Sequence, residues 1–413
     1  MRWWRELGPG LLFAAAAVGV SHLVQSTRAG AGWGLQMVLL VLLANAVKYP
    51  AFRFGPQYAA ATGRSLLDGY GQLGRWALWL YLGLTLSTMF AVQAAVTLVT
   101  AALLTSLTGM SWGVPQVGAG LLVVCATLLL WGQYRQLDRI ARWLMVLLAA
   151  TTVLVAIRSL PRLHEPWQDL FLGPAVWDTP TILFAAALVG WMPSAVDVSI
   201  WQSLWTLERG RVQGESVTPK AAARDFHVGY VGTVVLALCF LLMGATVLRE
   251  GSSALPTPAA AFAGRVVSAY AEVLGGWTTP VVGVAAFATM FSTTLAVADG
   301  FPRALAGWWA ALRRQAVGSR PYAVAMAVLM GGAATLMLLA PRSLPAAVDI
   351  ATTLSFLTAP AISALNHAVM FGPTVPSAHR PARWLQAWSW AGIVLQSLFA
   401  LAWLVVRVVL SPS

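Results

Sequence analysis

AAAAVGVSHLVQSTRAGA, Ala14–Ala31, and AALVGWMPSAVDVSIWQSL, Ala186–Leu204, are the two stretches whose reading decides the fold. Each is apolar enough to cross a bilayer, yet each is interrupted. Gly19, Ser21 and His22 fall at mid-depth of the first, and Gly190 and Pro193 flank Met192 in the second. A proline inside a helix removes one backbone donor and clashes with the preceding turn. Carbonyls freed in hydrocarbon are tolerated only where they are buried in protein or line a cavity. Two breaks at equivalent places, five spans apart, point to a binding site near the bilayer midplane between two repeats.

Working outward, the whole chain reads as membrane protein. Of its 413 residues 59% are hydrophobic and only 10% are charged, with a mean hydropathy of +0.73. Soluble domains carry about 25% charged residues, so a water-facing globule is excluded. Hydropathy and loop punctuation give eleven spans, at about 8–28, 33–55, 77–105, 115–134, 143–160, 180–206, 227–248, 275–300, 321–341, 346–372 and 386–409. The expected fold is all-α and polytopic, a single transmembrane domain over 1–413. Its repeats are 8–160 and 180–372, with 386–409 as an eleventh helix.

The start, MRWWRELGPGLLFAAAAVGV, has the form of a signal peptide but reads as a retained first span. With a cytoplasmic N-terminus, 19 of the 26 Lys and Arg residues, Lys48 included, fall on inner segments. That bias gives a multi-pass protein of the cell (inner) membrane with its C-terminus outside. The net charge of +12 therefore reports topology, and no nucleic-acid partner is implied. Tryptophans near span ends, among them Trp33, Trp76, Trp143, Trp277, Trp308 and Trp384, read as interfacial anchors. Cys125 and Cys239, inside apolar runs, read as inert thiols.

Several segments, in order along the chain, resemble a known family. GPGLLFAAAAVGVSHLVQSTRAGA (Gly8–Ala31) resembles the first helix of NRAMP metal-ion transporters, with its Gly-Pro start, Asp-Pro-Gly-Asn break and Ala-Gly-Ala end. LLANAVKYPAFRFGPQYAAATGRSLLDGY (Leu42–Tyr70) resembles their second helix and its Ala-Thr-Gly loop. Arg135-Gln136-Leu137-Asp138 resembles the Arg-x-Leu-Glu after the fourth helix, Met192-Pro193 the Met-Pro of the sixth, and FSTTLAVADG (Phe291–Gly300) the Ser-rich eighth. The resemblance implies a LeuT-type fold, helices 1–5 and 6–10 as inverted repeats plus one more, with helices 1 and 6 broken. It also implies proton-coupled uptake of a divalent metal, with ligands from helices 1 and 6.

The charged chemistry of that family is largely replaced. Its helix 1 aspartate falls on Gly19 and its asparagine on His22. Its helix 6 methionine is kept as Met192, while the two histidines of that helix become Ser194 and Ser199. Its acidic pair in helix 3 falls on Met89 and Val92, and a helix 10 glutamine on about Thr358. The expected substrate-binding set is Gly19, Ser21, His22, Gln25, Val189, Met192, Ser194 and Thr358. Imidazole and thioether suit a softer metal, so His22 and Met192 are the candidate ligands. Asp197, an intramembrane acid, is a third, although about 500° of helical rotation turns it roughly 140° from the Met192 face. His22 is also the candidate proton carrier.

Three functions fit these residues. The leading expectation is a secondary transporter moving a divalent metal as substrate, with altered or absent proton coupling and no resident cofactor. Without an acid at the first break, the same scaffold also suits a small anion or organic solute, cradled by Ser21, His22, Gln25 and Ser194. A transport-dead sensor is the third. An enzyme is not expected, because the sequence has no Gly-x-Ser-x-Gly elbow, phosphate loop or His-x-x-x-His pair. The expected partners are the lipid bilayer and a small ion or solute, with no obligate protein partner.

Overall fold

The computed structural model describes residues 13–14, 17–131, 135–163, 166, 168–174, 176–249, 258–339 and 343–407, and every regular element among them is helical. The first span bends at Val18 and Gly19, then runs through a π-helical turn, Ser21–Ser26, into α1 (Thr27–Trp33). α2 (Val38–Thr62) continues through Pro50 and Pro56 and stops at Gly63, whose φ of 65° is the left-handed cap that glycine adopts without strain. α3 (Leu66–Leu73) opens with a capping box between Ser65 and Asp68. Next come α4 (Arg75–Thr108), α5 (Val114–Trp131), α6 (Arg135–Ser159) and the short α7 (Asp169–Leu172).

The sixth span is two helices. α8 (Thr179–Gly190) is capped by Asp178, which accepts from the Thr181 backbone N–H at 3.0 Å. α9 (Val198–Gln213) resumes after seven residues of turn that include the cis Met192–Pro193 peptide. α10 (Pro219–Met243) ends in a π turn, Gly244–Leu248. Then follow α11 (Ala259–Leu274), α12 (Thr278–Arg313), α13 (Ser319–Leu339), α14 (Leu344–Met370) and α15 (Arg383–Val405).

Packing repeats on a five-span shift. α1 lies against α10 and its π turn, as α9 lies against α2; α14 packs on α4 as α6 packs on α12; and α4 meets α12, as α5 meets α13. Small residues let the first of these pairs close to main-chain distance. A Cβ on Gly30 would strike the Leu241 carbonyl, and one on Gly244 would strike that of Thr27. The chain therefore has the expected all-α, five-plus-five architecture with a further helix, α15, and spans 1 and 6 broken.

Several expectations change. α3 and α11 were not foreseen, and α12 runs to Arg313 rather than to about 300. In that helix Asp299 accepts from Arg303 (2.9 Å), Tyr322 (2.8 Å) and Trp205 (3.3 Å) while almost wholly buried. Lys48, counted with the inner cations, instead lies in the interior of α2 and is only 1% exposed. Trp308 is not an anchor but donates inward to the Leu78 carbonyl at 2.9 Å, whereas Trp76, Trp143, Trp277 and Trp384 are exposed. Both cysteines are free thiols. The first twelve residues, Arg342 and the side chains of Arg135-Gln136-Leu137-Asp138 lie outside what is described.

Candidate functional site

The two breaks meet. Ser21 Oγ, in the first, lies 3.3 Å from the Pro193 carbonyl in the second, 2.7 Å from the Ala17 carbonyl and 2.7 Å from His22 Nδ1. Its single proton serves one of these acceptors at a time. Beside this junction is a cavity of about 30 Å³, far smaller than the roughly 300–1,000 Å³ of ligand pockets. Its wall comes from four directions: Ala17, Val20 and Ser21 of span 1; Trp191, Ser194, Ala195, Val198 and Trp201 of span 6; Val92 and Val96 of α4; and Thr293 and Val297 of α12. No lining residue is more than 8% exposed. The wall is thus mostly apolar, with three hydroxyls and a few indole and main-chain polar groups available to orient a solute.

Of the expected residues, Ser21 and Ser194 line this space. Gly19 supports it, since an added Cβ there would come 2.8 Å from Thr293 Cγ2. The others point elsewhere. His22 is fully buried against α10, with Nε2 2.9 Å from the Thr233 carbonyl and the ring edge-on to Phe240. Both its nitrogens are therefore engaged within the bundle. Met192 packs in an apolar cluster with Val189, Leu241 and Phe356. Gln25 donates to Asp349 at 3.0 Å and accepts from Arg28 at 2.9 Å, and Thr358 donates to the Ser355 carbonyl at 3.2 Å. Val189 offers its carbonyl to Lys48 Nζ at 2.6 Å.

Asp197 is 1% exposed at the start of α9, and its Oδ1 has no hydrogen-bond partner. It stands at the N-cap position of α9 but makes no side-chain cap hydrogen bond. His22, Met192 and Asp197 do not line the cavity. Among the described residues no three His, Cys, Asp or Glu side chains gather as a metal-holding group.

Polar closures flank the cavity on two sides. On one, Arg28 of α1 pairs with Asp349 of α14 at 2.7 and 3.1 Å, and Trp191 donates to Ser355 at 2.8 Å. On the other, Tyr70 donates to Asn366 at 2.5 Å, and Asn366 donates to Ser199 at 2.8 Å and to the Ala51 carbonyl at 3.1 Å. The Asp299 network ties α9, α12 and α13 on that same side.

Sequence reasoning missed Trp191, Trp201 and Thr293. Trp191 adjoins the break and Thr293 lies in the FSTTLAVADG segment, whereas nothing in the sequence marks Trp201, because Ser194 lies in the turn and not on the α9 face.

Solved structures share this architecture. The chain is similar to a mutant of the Eremococcus coleocola manganese transporter, with a TM-score of 0.70 at 13% identity over 98% of this chain and 88% of that one. It is similar also to MhsT in complex with L-phenylalanine (TM-score 0.64, 14% identity, 96% and 97% covered). A third is Mhp1, a nucleobase-cation-symport-1 family transporter with bromovinylhydantoin bound (0.54, 16%, 98% and 94%). The protein has the LeuT fold.

No family model matches the sequence. The chain is 36% identical over 299 residues to an uncharacterized protein of Pasteurella multocida (strain Pm70), covering 72% of this chain and 69% of that one. It belongs to that protein's family.

Proposed function

We propose that the chain is a secondary transporter of the cell membrane that carries a small uncharged or anionic solute through the junction of its broken spans. The observation that carries this reading is the approach of Ser21 to Pro193 beside a buried cavity with hydroxyl groups in its wall. The named structural neighbours, which transport manganese or are bound to an amino acid or a hydantoin, support the class. A space of about 30 Å³ belongs to a closed state, so binding requires α1 with its π turn, or α9, to move outward from α4 and α12. Such rocking of one bundle against the other is how inverted repeats alternate access.

With the N-terminus cytoplasmic, the Arg28–Asp349 pair is the outer closure and the Tyr70–Asn366–Ser199 chain the inner one. Main-chain groups at the breaks and the hydroxyls of Ser21, Ser194 and Thr293 hold the solute, and Trp191 and Trp201 flank it.

A metal cation is the second reading, favoured by the likeness to a manganese transporter and by the Met192-Pro193 pair. A dehydrated divalent ion needs compensating charge, and hard ions need carboxylate oxygens. Neither stands in the cavity wall. Titration calorimetry on purified protein with manganese, a panel of carboxylates and a panel of neutral amides separates the two. Saturable heat from an organic solute, weakened at least about tenfold (about 1.4 kcal/mol) by Ser194→Val, is the expected result. Manganese heats with no organic response would reverse the order of the readings.

A further inference from the structure

Lys48 is a buried charge that the transport reading does not use. It sits in the interior of α2, 1% exposed, with Nζ 2.6 Å from the Val189 carbonyl and 2.8 Å from that of Gly190. These are the last two carbonyls of α8. The Val189 carbonyl also accepts the Met192 N–H at 3.2 Å; carbonyls at the end of a helix lack the regular partner four residues on and together carry about half a negative charge. Within hydrocarbon no water reaches them, so a cation is their natural partner. The opposite side is shut: a Cβ on Gly190 would strike the Thr352 carbonyl of α14.

Two neighbouring acceptors have main-chain partners: the Ala17 carbonyl receives the Gly19 N–H, and the Gly19 carbonyl receives the His22 and Leu23 N–H groups. The Pro193 carbonyl shares the single Ser21 proton with Ala17 and His22. The arginine nearest in sequence to the first break, Arg28, is committed to Asp349. Lys48 is thus the charge supplied to the end of α8, and it comes covalently attached.

We infer that Lys48 is a chain-borne cation filling the cation seat at the unwound end of α8, and so sets the selectivity of the cavity against cationic solutes. This rests on the cavity being the solute site. The seat itself is testable without any solute, so the two readings fail separately.

The experiment uses the full-length protein in detergent, followed by thermal unfolding and titration calorimetry. Wild type is expected to show no saturable manganese heat at millimolar concentration and no change in melting temperature with ethylammonium. Lys48→Ala is expected to melt lower and to recover at least half of the loss with ethylammonium, a primary amine that replaces the missing group. Lys48→Arg is expected to retain most of the wild-type melting temperature. Saturable manganese binding by wild type overturns the inference, and this result needs no variant to fold. A Lys48→Ala protein that folds but is indifferent to ethylammonium, or that melts like wild type, overturns it too. A positive rescue in a protein that moves no solute leaves the seat intact and removes only the transport reading.

Discussion

At the scale of single residues, the site is decided by which polar groups already have partners. His22 looks, in sequence, like the ligand of a broken helix; in space it bridges the first span to α10 through Thr233. Its replacement by alanine removes a buried ring and two hydrogen bonds, so we expect His22→Ala to destabilise by about 2–4 kcal/mol. Chemical denaturation in detergent checks this, and solute affinity should change little; a large loss of affinity at unchanged stability would return His22 to the solute site. Lys48 was misassigned for a different reason. The predicted span, 33–55, already enclosed it, yet it was counted with the inner cations, whereas in the structure it is buried in the bundle. An ammonium repels a divalent ion about 4 Å away by roughly 8 kcal/mol at an effective dielectric of about 20, so no second cation shares the Val189 and Gly190 carbonyls with it. Ser21 and Ser194 were legible because they flank the breaks themselves. Trp201 was not, since its role depends on how α9 resumes after the turn.

At the scale of elements, the closures differ in strength in a way that suits a moving machine. The Arg28–Asp349 pair is partly exposed, at 18% and 36%, and such pairs contribute only about 0–1 kcal/mol. Thermal motion can open it. Asp349→Asn is therefore expected to leave stability within about 1 kcal/mol of wild type while speeding thiol labelling of Ser21→Cys from the side the pair covers, in a background lacking Cys125 and Cys239. The Asp299 network is buried and bonds three other side chains. Breaking it by Asp299→Ala is expected to cost about 3–5 kcal/mol, read as a much lower melting temperature. The first-span contact with α10 depends on Gly30, and Gly30→Val should force α1 off the Leu241 carbonyl and abolish function. Hydrogen bonds from the Thr181 hydroxyl and backbone hold Asp178 below the usual carboxylate range. Its cap on α8 is thus present at neutral pH and is lost only as pH falls through that lowered value.

At the scale of the whole molecule, hydropathy periodicity was enough to find the spans, and matching interruptions were enough to find the repeat, because both follow from satisfying backbone groups in lipid. The helices that escaped, α3 and α11, lack the long apolar run by which spans are found. What the breaks bind was less legible. A ligand set requires side chains to converge, and convergence depends on rotations across two unwound segments that no linear pattern encodes. The central claim is that a solute is gripped where those segments meet. The direct measurement is alkylation of Ser194→Cys in a background without the native cysteines, with and without the organic solute that gives calorimetric heat. At ten times the dissociation constant measured for the Ser194→Cys protein itself, the free fraction falls to about one eleventh. Labelling should therefore slow about tenfold at Ser194→Cys and remain unchanged at exposed Trp112→Cys. Equal labelling of Ser194→Cys with and without saturating solute would contradict the account.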